Sequence, residues 1–356
     1  MRIAIPTEIK AQEGRVGLVP AACGELVRHG HEVLVQSGAG ALSGYGDGDY
    51  EQAGARVLPD ASSLYGEGQL IVKVKEPVDG DLALLRADHT LFCYLHLAAN
   101  RALAESLREL GLTAVAFETV REGNTLPLLA PMSEIAGRLA VQVGTHLLHQ
   151  PQGGKGLMLG GLPSTSRGQV VVLGAGVAGG AAVQAAAALG ARVTVFDISR
   201  ERMADMRRLG DNVTALYAYQ QTIAETLADA DLLIGAVLLP GRRAPHLVTR
   251  AMLKGMTPGG VVVDISVDQG GCIETTRATT YEDPVYVEEG LSHFCVTNMP
   301  GAVPRTASQA LSASLLAHVL RLASPDWEDS EALMEGVNVR AGDYVNAAVK
   351  AEMESA

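Results

Sequence analysis

The sequence predicts an α/β chain of two domains, each built on a parallel sheet, joined by long helices. Three observations carry this. Short aliphatic runs alternate with helical patterns throughout. One strand–turn–helix–strand unit is written out by an aliphatic run at 170–173, a glycine turn at 174–179, a helix over 181–189 and a strand over 193–196. Finally, Ile135, Leu139, Val143 and Leu147, and later Leu311, Leu315, Val319 and Leu322, repeat at helical spacing over long stretches.

Taken in order, strands are expected over 3–6, 32–36, 69–74, 91–95 and 114–117, with helices over 21–29 and 101–110. The first long helix is expected over 132–148, capped by Ser133. A glycine-rich loop covers 153–161, and further strands are expected over 232–237 and 261–267. The expected division is a catalytic domain of residues 1–127 completed by 304–356, with a dinucleotide domain of 128–303 inserted in it.

Composition narrows the function. The chain has 356 residues, 47% hydrophobic and 19% charged, which suits a large buried core. A net charge of -12 argues against nucleic acid and anionic membranes as partners, because both need a basic face. No stretch reaches the roughly 18 apolar residues of a membrane helix, and the apolar start ending at Pro6 is too short for a signal peptide. A cytoplasmic protein is expected. Cys23, Cys93, Cys272 and Cys295 show no metal-binding spacing and read as reduced, buried thiols.

The glycine turn Gly174-Ala175-Gly176-Val177-Ala178-Gly179 follows a strand, opens a helix, and is followed by Asp197 at the end of the next strand. This is the full context of a Rossmann-like dinucleotide site. Gly174 makes the turn, Gly176 admits the pyrophosphate, and Gly179 lets helix and sheet pack closely. Asp197 suits ribose hydroxyls and repels a 2′-phosphate, so NAD is expected over NADP. Arg200 and Arg202 lie nearby. The strand exits Gly235-Ala236-Val237-Leu238 and Asp264-Ile265-Ser266-Val267-Asp268 face the same ligand-binding edge of the sheet.

Outside that motif, single residues are ambiguous. Arg15 reads as a surface charge or a carboxylate clamp, and Lys75 as a solvated rim or a substrate cation. His96 is either a silent core histidine or an acid–base group, and shares a face with Phe92 and Tyr94 if that strand runs so far. Asp268 reads as a turn cap or a catalytic carboxylate.

A resemblance weighs these readings. The segments Ile5-Pro6-Thr7-Glu8, Glu13-Gly14-Arg15-Val16, Val72-Lys73-Val74-Lys75-Glu76-Pro77, Tyr94-Leu95-His96-Leu97-Ala98, Pro127 to Glu134, Val267 to Cys272 and Val296 to Pro300 stand in the order and spacing of the alanine dehydrogenase family. The resemblance spans nearly the whole chain. It implies reversible NAD-dependent deamination of L-alanine to pyruvate and ammonium, with His96 and Asp268 catalytic. It gives Arg15 and Lys75 to the substrate carboxylate, with Tyr94, Met132 and Asn298 around the substrate. Ser133, Gly174, Gly176, Val177, Ala178, Gly179, Asp197, Arg202, Val237, Leu238, Ile265, Asp268, Arg277, Asn298 and Met299 would line the NAD site, and the assembly would be a homohexamer.

Two rivals stand beside this reading. The soluble NAD-binding subunit of a proton-translocating transhydrogenase shares the N-terminal and glycine motifs, but its family lacks counterparts of His96 and Asp268. A non-catalytic NAD-binding regulator would not need the full set of polar residues. There are also departures from the family pattern. Ala218 stands where a hydroxyl is common, and Arg321 and Pro325 stand where some relatives hold magnesium with Glu and His, so no metal is expected.

Overall fold

The aliphatic runs are buried on both faces, as parallel strands under helices require: Ile3 to Ile5, Val170 to Leu173 and Val261 to Val263 have no exposed surface. The computed structural model describes residues 1–237 and 245–354. The chain divides into one unit of Met1–Met132 with Gly301 onward, and a second of Ser133–Pro300.

In the first unit β1 (Arg2–Ile5), β2 (Glu32–Gln36), β3 (Arg56–Leu58), β4 (Leu70–Val72), β5 (Thr90–Cys93) and β6 (Thr113–Ala116) are parallel and lie in the order β3-β2-β1-β4-β5-β6. The second unit repeats the plan. Its strands are β7 (Gln169–Leu173), β8 (Arg192–Asp197), β9 (Val213–Tyr217), β10 (Leu232–Gly235), β11 (Val261–Asp264), β12 (Val285–Glu288) and β13 (Leu291–Phe294), in the order β9-β8-β7-β10-β11-β13-β12. Only β12 runs antiparallel there, at the edge. The chain then returns to the first unit, where β14 (Val337–Arg340) pairs antiparallel with β6, and β15 (Asp343–Tyr344) with β14. Both orders place a topological switch point beside the first strand, β1/β4 and β7/β10.

Several expected strands overrun their real ends, and the cause recurs. The strand expected over 69–74 stops at Val72, because the Val74 N–H goes to the Glu8 carboxylate instead of the sheet. The strand expected over 91–95 stops at Cys93, because Leu95 and His96 give their N–H groups to Glu118. The strand expected over 261–267 stops at Asp264, whose own carboxylate takes the Ser266 N–H. The long helix begins at Ala130, so Ser133 lies inside its first turn and is not its cap. It ends at Leu147, and the late helix runs Pro304–Leu322. The edge strands β3, β9, β12 and β15 and the interior strands β13 and β14 were not expected from the sequence.

One buried ion pair lies under the first sheet's exits. Lys73 is 1% exposed and its Nζ sits 2.6 Å from Asp81 and 3.6 Å from Glu8. The Tyr65 hydroxyl donates to the other Asp81 oxygen at 2.8 Å. A buried ammonium is tolerated only when paired in this way. Asp81→Asn is therefore expected to lower the unfolding free energy by about 3–5 kcal/mol, the cost of stranding one partner. Urea unfolding of the full chain reads it, and an unchanged midpoint would show that Lys73 does not depend on Asp81.

Candidate functional site

In the first unit the polar residues gather at the carboxyl ends of β1, β4 and β5. The loop after β1 carries Glu8, Glu13 and Arg15. Glu8 accepts the Val74 N–H at 2.5 Å and the Lys75 N–H at 3.4 Å, which fixes the backbone that bears Lys75. Burial pushes the Glu8 carboxyl up to about 7, with Lys73 opposing. Arg15 is 3% exposed. Its Nε donates to Glu13 at 2.6 Å, its Nη2 also meets Glu13, and its Nη1 reaches the Met132 sulfur at 3.2 Å. Burial alone would lower the guanidinium's pKa; the paired Glu13 carboxylate more than offsets this and raises it. Lys75 is held below the usual lysine range by burial, opposed by Glu76 and reinforced by the positive charge of Arg15. A region that depresses one cation with another suits an anionic ligand.

His96 ends the β5 exit. It does not continue the strand: its backbone is left-handed, φ 49° and ψ 38°. Its N–H donates to Glu118 Oε1 at 2.6 Å. Its ring nonetheless stacks parallel to Tyr94, centroids 6.0 Å apart. Tyr94 is buried and its hydroxyl donates to the Leu128 carbonyl at 2.6 Å, which makes it a fixed wall. The imidazole is about half exposed, and its Nδ1 lies 3.8 Å from Glu118.

In the second unit, Gly174 has φ 91°, and a Cβ there would lie 2.6 Å from the Ala236 carbonyl oxygen. A Cβ on Gly179 would meet the Gly174 carbonyl oxygen at 1.8 Å, so helix and turn pack as only glycine permits. At Gly176 the nearest atom to such a Cβ is Arg202 Nη1 at 3.9 Å, so this face of the turn is open and a guanidinium stands beside it. The helix Val177–Ala188 begins there with no side-chain cap, and Val177 is 49% exposed. Asp197 accepts the Ala175 N–H at 2.6 Å and the Ser199 N–H at 2.7 Å, tying the glycine turn to the end of β8. Ala218 donates its N–H to the Asp197 carbonyl at 3.2 Å.

Asp268 is exposed in the short turn Val267–Gln269 after β11. Below it the buried Asp264 accepts from Ser266 N, Cys272 N and the Thr276 hydroxyl at 3.0, 3.0 and 2.7 Å, bracing the turn at both ends. Burial raises the Asp264 carboxyl against these hydrogen bonds. Val237 and Ile265 follow β10 and β11, and Asn298 and the buried Met299 follow β13. Arg277 lies over the Tyr286 ring at 4.0 Å. Leu238 falls outside the described residues. Among the described residues no group of three or more His, Cys, Asp or Glu is placed to hold a metal ion, and Arg321 pairs with Asp326 at 2.9 Å.

Within the first unit the structure thus brings Arg15, Lys75, His96, Tyr94 and Met132 to neighbouring strand exits. Within the second it brings the glycine turn, Asp197 and Arg202 together at the carboxyl ends of β7 and β8. Sequence reasoning missed Glu8, Glu13, Glu118 and Asp264, which hold those segments. Glu8 and Glu13 lay inside the motif segments and could have been singled out there. Asp264 lay at the start of a strand exit already named, while Glu118 carried no local signal. Ile198, 72% exposed directly after Asp197, is a further apolar surface at this site.

Residues 4–136 match the family model described as alanine dehydrogenase/PNT, N-terminal domain, and residues 140–347 match the C-terminal domain. The chain is 46% identical to an alanine dehydrogenase of Halomonas elongata, covering 98% of this chain and 96% of that one. A solved L-alanine dehydrogenase superposes with a TM-score of 0.96 at 48% identity, covering 100% of this chain and 99% of that one. A solved transhydrogenase from Sinorhizobium meliloti superposes at 0.86 with 28% identity, covering 98% and 100%.

The raised Glu8 carboxyl makes a signed prediction. Its folded value of about 7 exceeds the ordinary 4.5, so the stability it contributes is fully present below pH 4.5 and is lost as pH rises through 7. Glu8→Gln keeps an acceptor for the Val74 N–H and removes the titration. The variant is expected to gain stability relative to the wild type as pH rises across that window. Melting temperatures of both proteins against pH read it, and parallel profiles would rule it out.

Proposed function

The chain belongs to the alanine dehydrogenase/PNT family, and from that premise we propose how its residues divide the reversible, NAD-dependent oxidative deamination of L-alanine to pyruvate and ammonium. It is an NAD-dependent oxidoreductase acting on an amino acid. The transhydrogenase is a more distant neighbour. The observation that supports the division best is the gathering of Arg15, Lys75 and His96 at adjacent exits of one sheet, while the other sheet carries the glycine turn with Asp197.

The second unit's residues fit a dinucleotide. The turn is open at Gly176 and the helix behind it has no side-chain cap, leaving its first N–H groups and positive dipole end for a pyrophosphate. Gly174, Gly176, Val177, Ala178 and Gly179 hold that group, with Arg202 adding charge beside it. Asp197 meets the ribose hydroxyls. Ser133, Val237, Ile265, Asp268, Arg277, Asn298 and Met299 line the remainder. When bound, NAD accepts the hydride from the substrate's α-carbon.

The chain's own groups do the rest. Arg15 and Lys75 hold the substrate carboxylate, with Glu13 orienting the guanidinium. Tyr94 and Met132 bound the small side chain. The substrate amine is neutral before the hydride leaves. His96, as general base, then takes a proton from the water that adds to the substrate iminium, and returns it to the departing ammonia. Asp268 stabilises the cationic substrate. No helix among the described residues is long and apolar enough to cross a membrane. On the family resemblance we place the protein in the cytoplasm as a homohexamer serving L-alanine catabolism.

Two expectations follow. His96→Ala should cut deamination about 10²- to 10⁴-fold, the usual worth of a positioned acid–base group. NADH affinity should hold, because the dinucleotide groups belong to the other unit. In the wild type, deamination should rise with pH, since both base and amine must be neutral. Steady-state rates across pH with NADH titrations read this; wild-type turnover in the variant would make His96 structural. The second expectation concerns cofactor choice. Asp197→Ala should narrow the preference for NAD over NADP while weakening NAD binding, because the same carboxylate ties down the glycine turn. Catalytic efficiency with both cofactors reads it, and an unchanged ratio would remove Asp197 from the discrimination.

A further inference from the structure

The backbone at His96 is the anomaly that points furthest. A left-handed conformation is disfavoured for any residue with a Cβ, yet His96 holds φ 49° immediately past the last residues of β5. The surrounding structure must impose it. The Glu118 carboxylate does so, accepting the His96 N–H on Oε1 at 2.6 Å and the Leu95 N–H on Oε2 at 3.2 Å. Two consecutive N–H groups that a continuing strand would point to opposite sides are drawn onto one carboxylate.

Glu118 is itself well anchored. It lies in the short turn Phe117–Thr119 after β6. The Thr119 hydroxyl donates to the Ala116 and Gly336 carbonyls, each at 3.2 Å, and accepts from Asn338 at 2.8 Å. Phe117 packs edge-on against Phe92 and Tyr94, centroids 4.5 and 5.0 Å away. Tyr94 in turn stacks on the His96 ring. One turn therefore sets both the backbone under the imidazole and the aromatic wall behind it. The 3.8 Å from Nδ1 to Oε1 is too long for a hydrogen bond and leaves the carboxylate standing beside the ring.

We propose that Glu118 is the positioning residue for His96, locking its left-handed backbone and standing beside the ring so that the imidazole stays aligned as it takes up and returns a proton. This rests on His96 being the base.

The test is a double-mutant cycle on the full-length protein, with Glu118→Gln, His96→Ala and the double variant assayed in both reaction directions. NADH binding and thermal melting serve as folding controls. Glu118→Gln alone should lower kcat about 10- to 100-fold, the worth of a charge-assisted bond or a small misalignment, with the KM for pyruvate little changed. In the His96→Ala background the same substitution should cost less than about twofold, because a group acting only through His96 has nothing left to act on. Should the Gln variant not fold, Glu118→Asp, which keeps the charge but shortens its reach, enters the same cycle with the same expectation. Equal costs in both backgrounds, an unaltered single variant, or a loss confined to KM would each overturn the proposal. Wild-type turnover in His96→Ala would instead remove the base assignment beneath it.

Discussion

Carboxylates that accept backbone N–H groups at the ends of parallel strands organise this molecule. Glu8 takes the N–H groups of Val74 and Lys75, Glu118 those of Leu95 and His96, Asp197 those of Ala175 and Ser199, and Asp264 those of Ser266 and Cys272. A parallel strand that ends in a loop leaves such donors unpaired, and a buried unpaired donor is costly. An ionised acceptor makes a stronger bond than a neutral one. Each clamp therefore both stops a strand and fixes the first residues beyond it, where ligands of an open α/β sheet bind.

The same arrangement manages charge. Arg15, Lys73 and Lys75 bring three cations to the exits of β1 and β4, and Glu8, Glu13 and Asp81 lie among them. Lys73 has two carboxylate neighbours and is the structural member of the set. Arg15 is gripped by Glu13, which orients a guanidinium that would otherwise be expensive to bury. Lys75 differs: its backbone is held by Glu8 while its ammonium is disfavoured by burial and by Arg15. In the proposed function, an arriving carboxylate would relieve that disfavour.

The sequence made the central strands legible because complete burial demands unbroken aliphatic runs, and it made the glycine turn legible because its function is local. Edge strands escaped for the opposite reason. Arg56–Leu58 is only three residues long, Val213–Tyr217 has a single buried position, and Val285–Glu288 has none. Strand ends were overrun wherever the capturing carboxylate came from a distant segment, as Glu8 does for Val74 and Glu118 for His96. Asp197 could be singled out from its place after the glycine motif, but its grip on Ala175 could not, because the first follows from a motif and the second from three-dimensional proximity. Arg15, Lys75, His96 and Asp268 could be singled out only through several motifs in order; each alone reads equally well as an ordinary surface or turn residue.

Six strands of each sheet follow one order, β3-β2-β1-β4-β5-β6 and β9-β8-β7-β10-β11-β13, so each of these positions in one has a counterpart in the other. The address that follows β7 in the second unit follows β1 in the first. After β7 the chain turns at once, through glycines, into an uncapped helix. After β1 it wanders from Pro6 to Val19 before the helix Pro20–Arg28 begins, and this long excursion carries Glu8, Glu13 and Arg15. The same address in the two sheets therefore carries different equipment: a tight glycine turn with one open face in the second, a longer segment bearing carboxylates and a guanidinium in the first. Connection length at one shared address, rather than the order of the central strands, is where the two units part company.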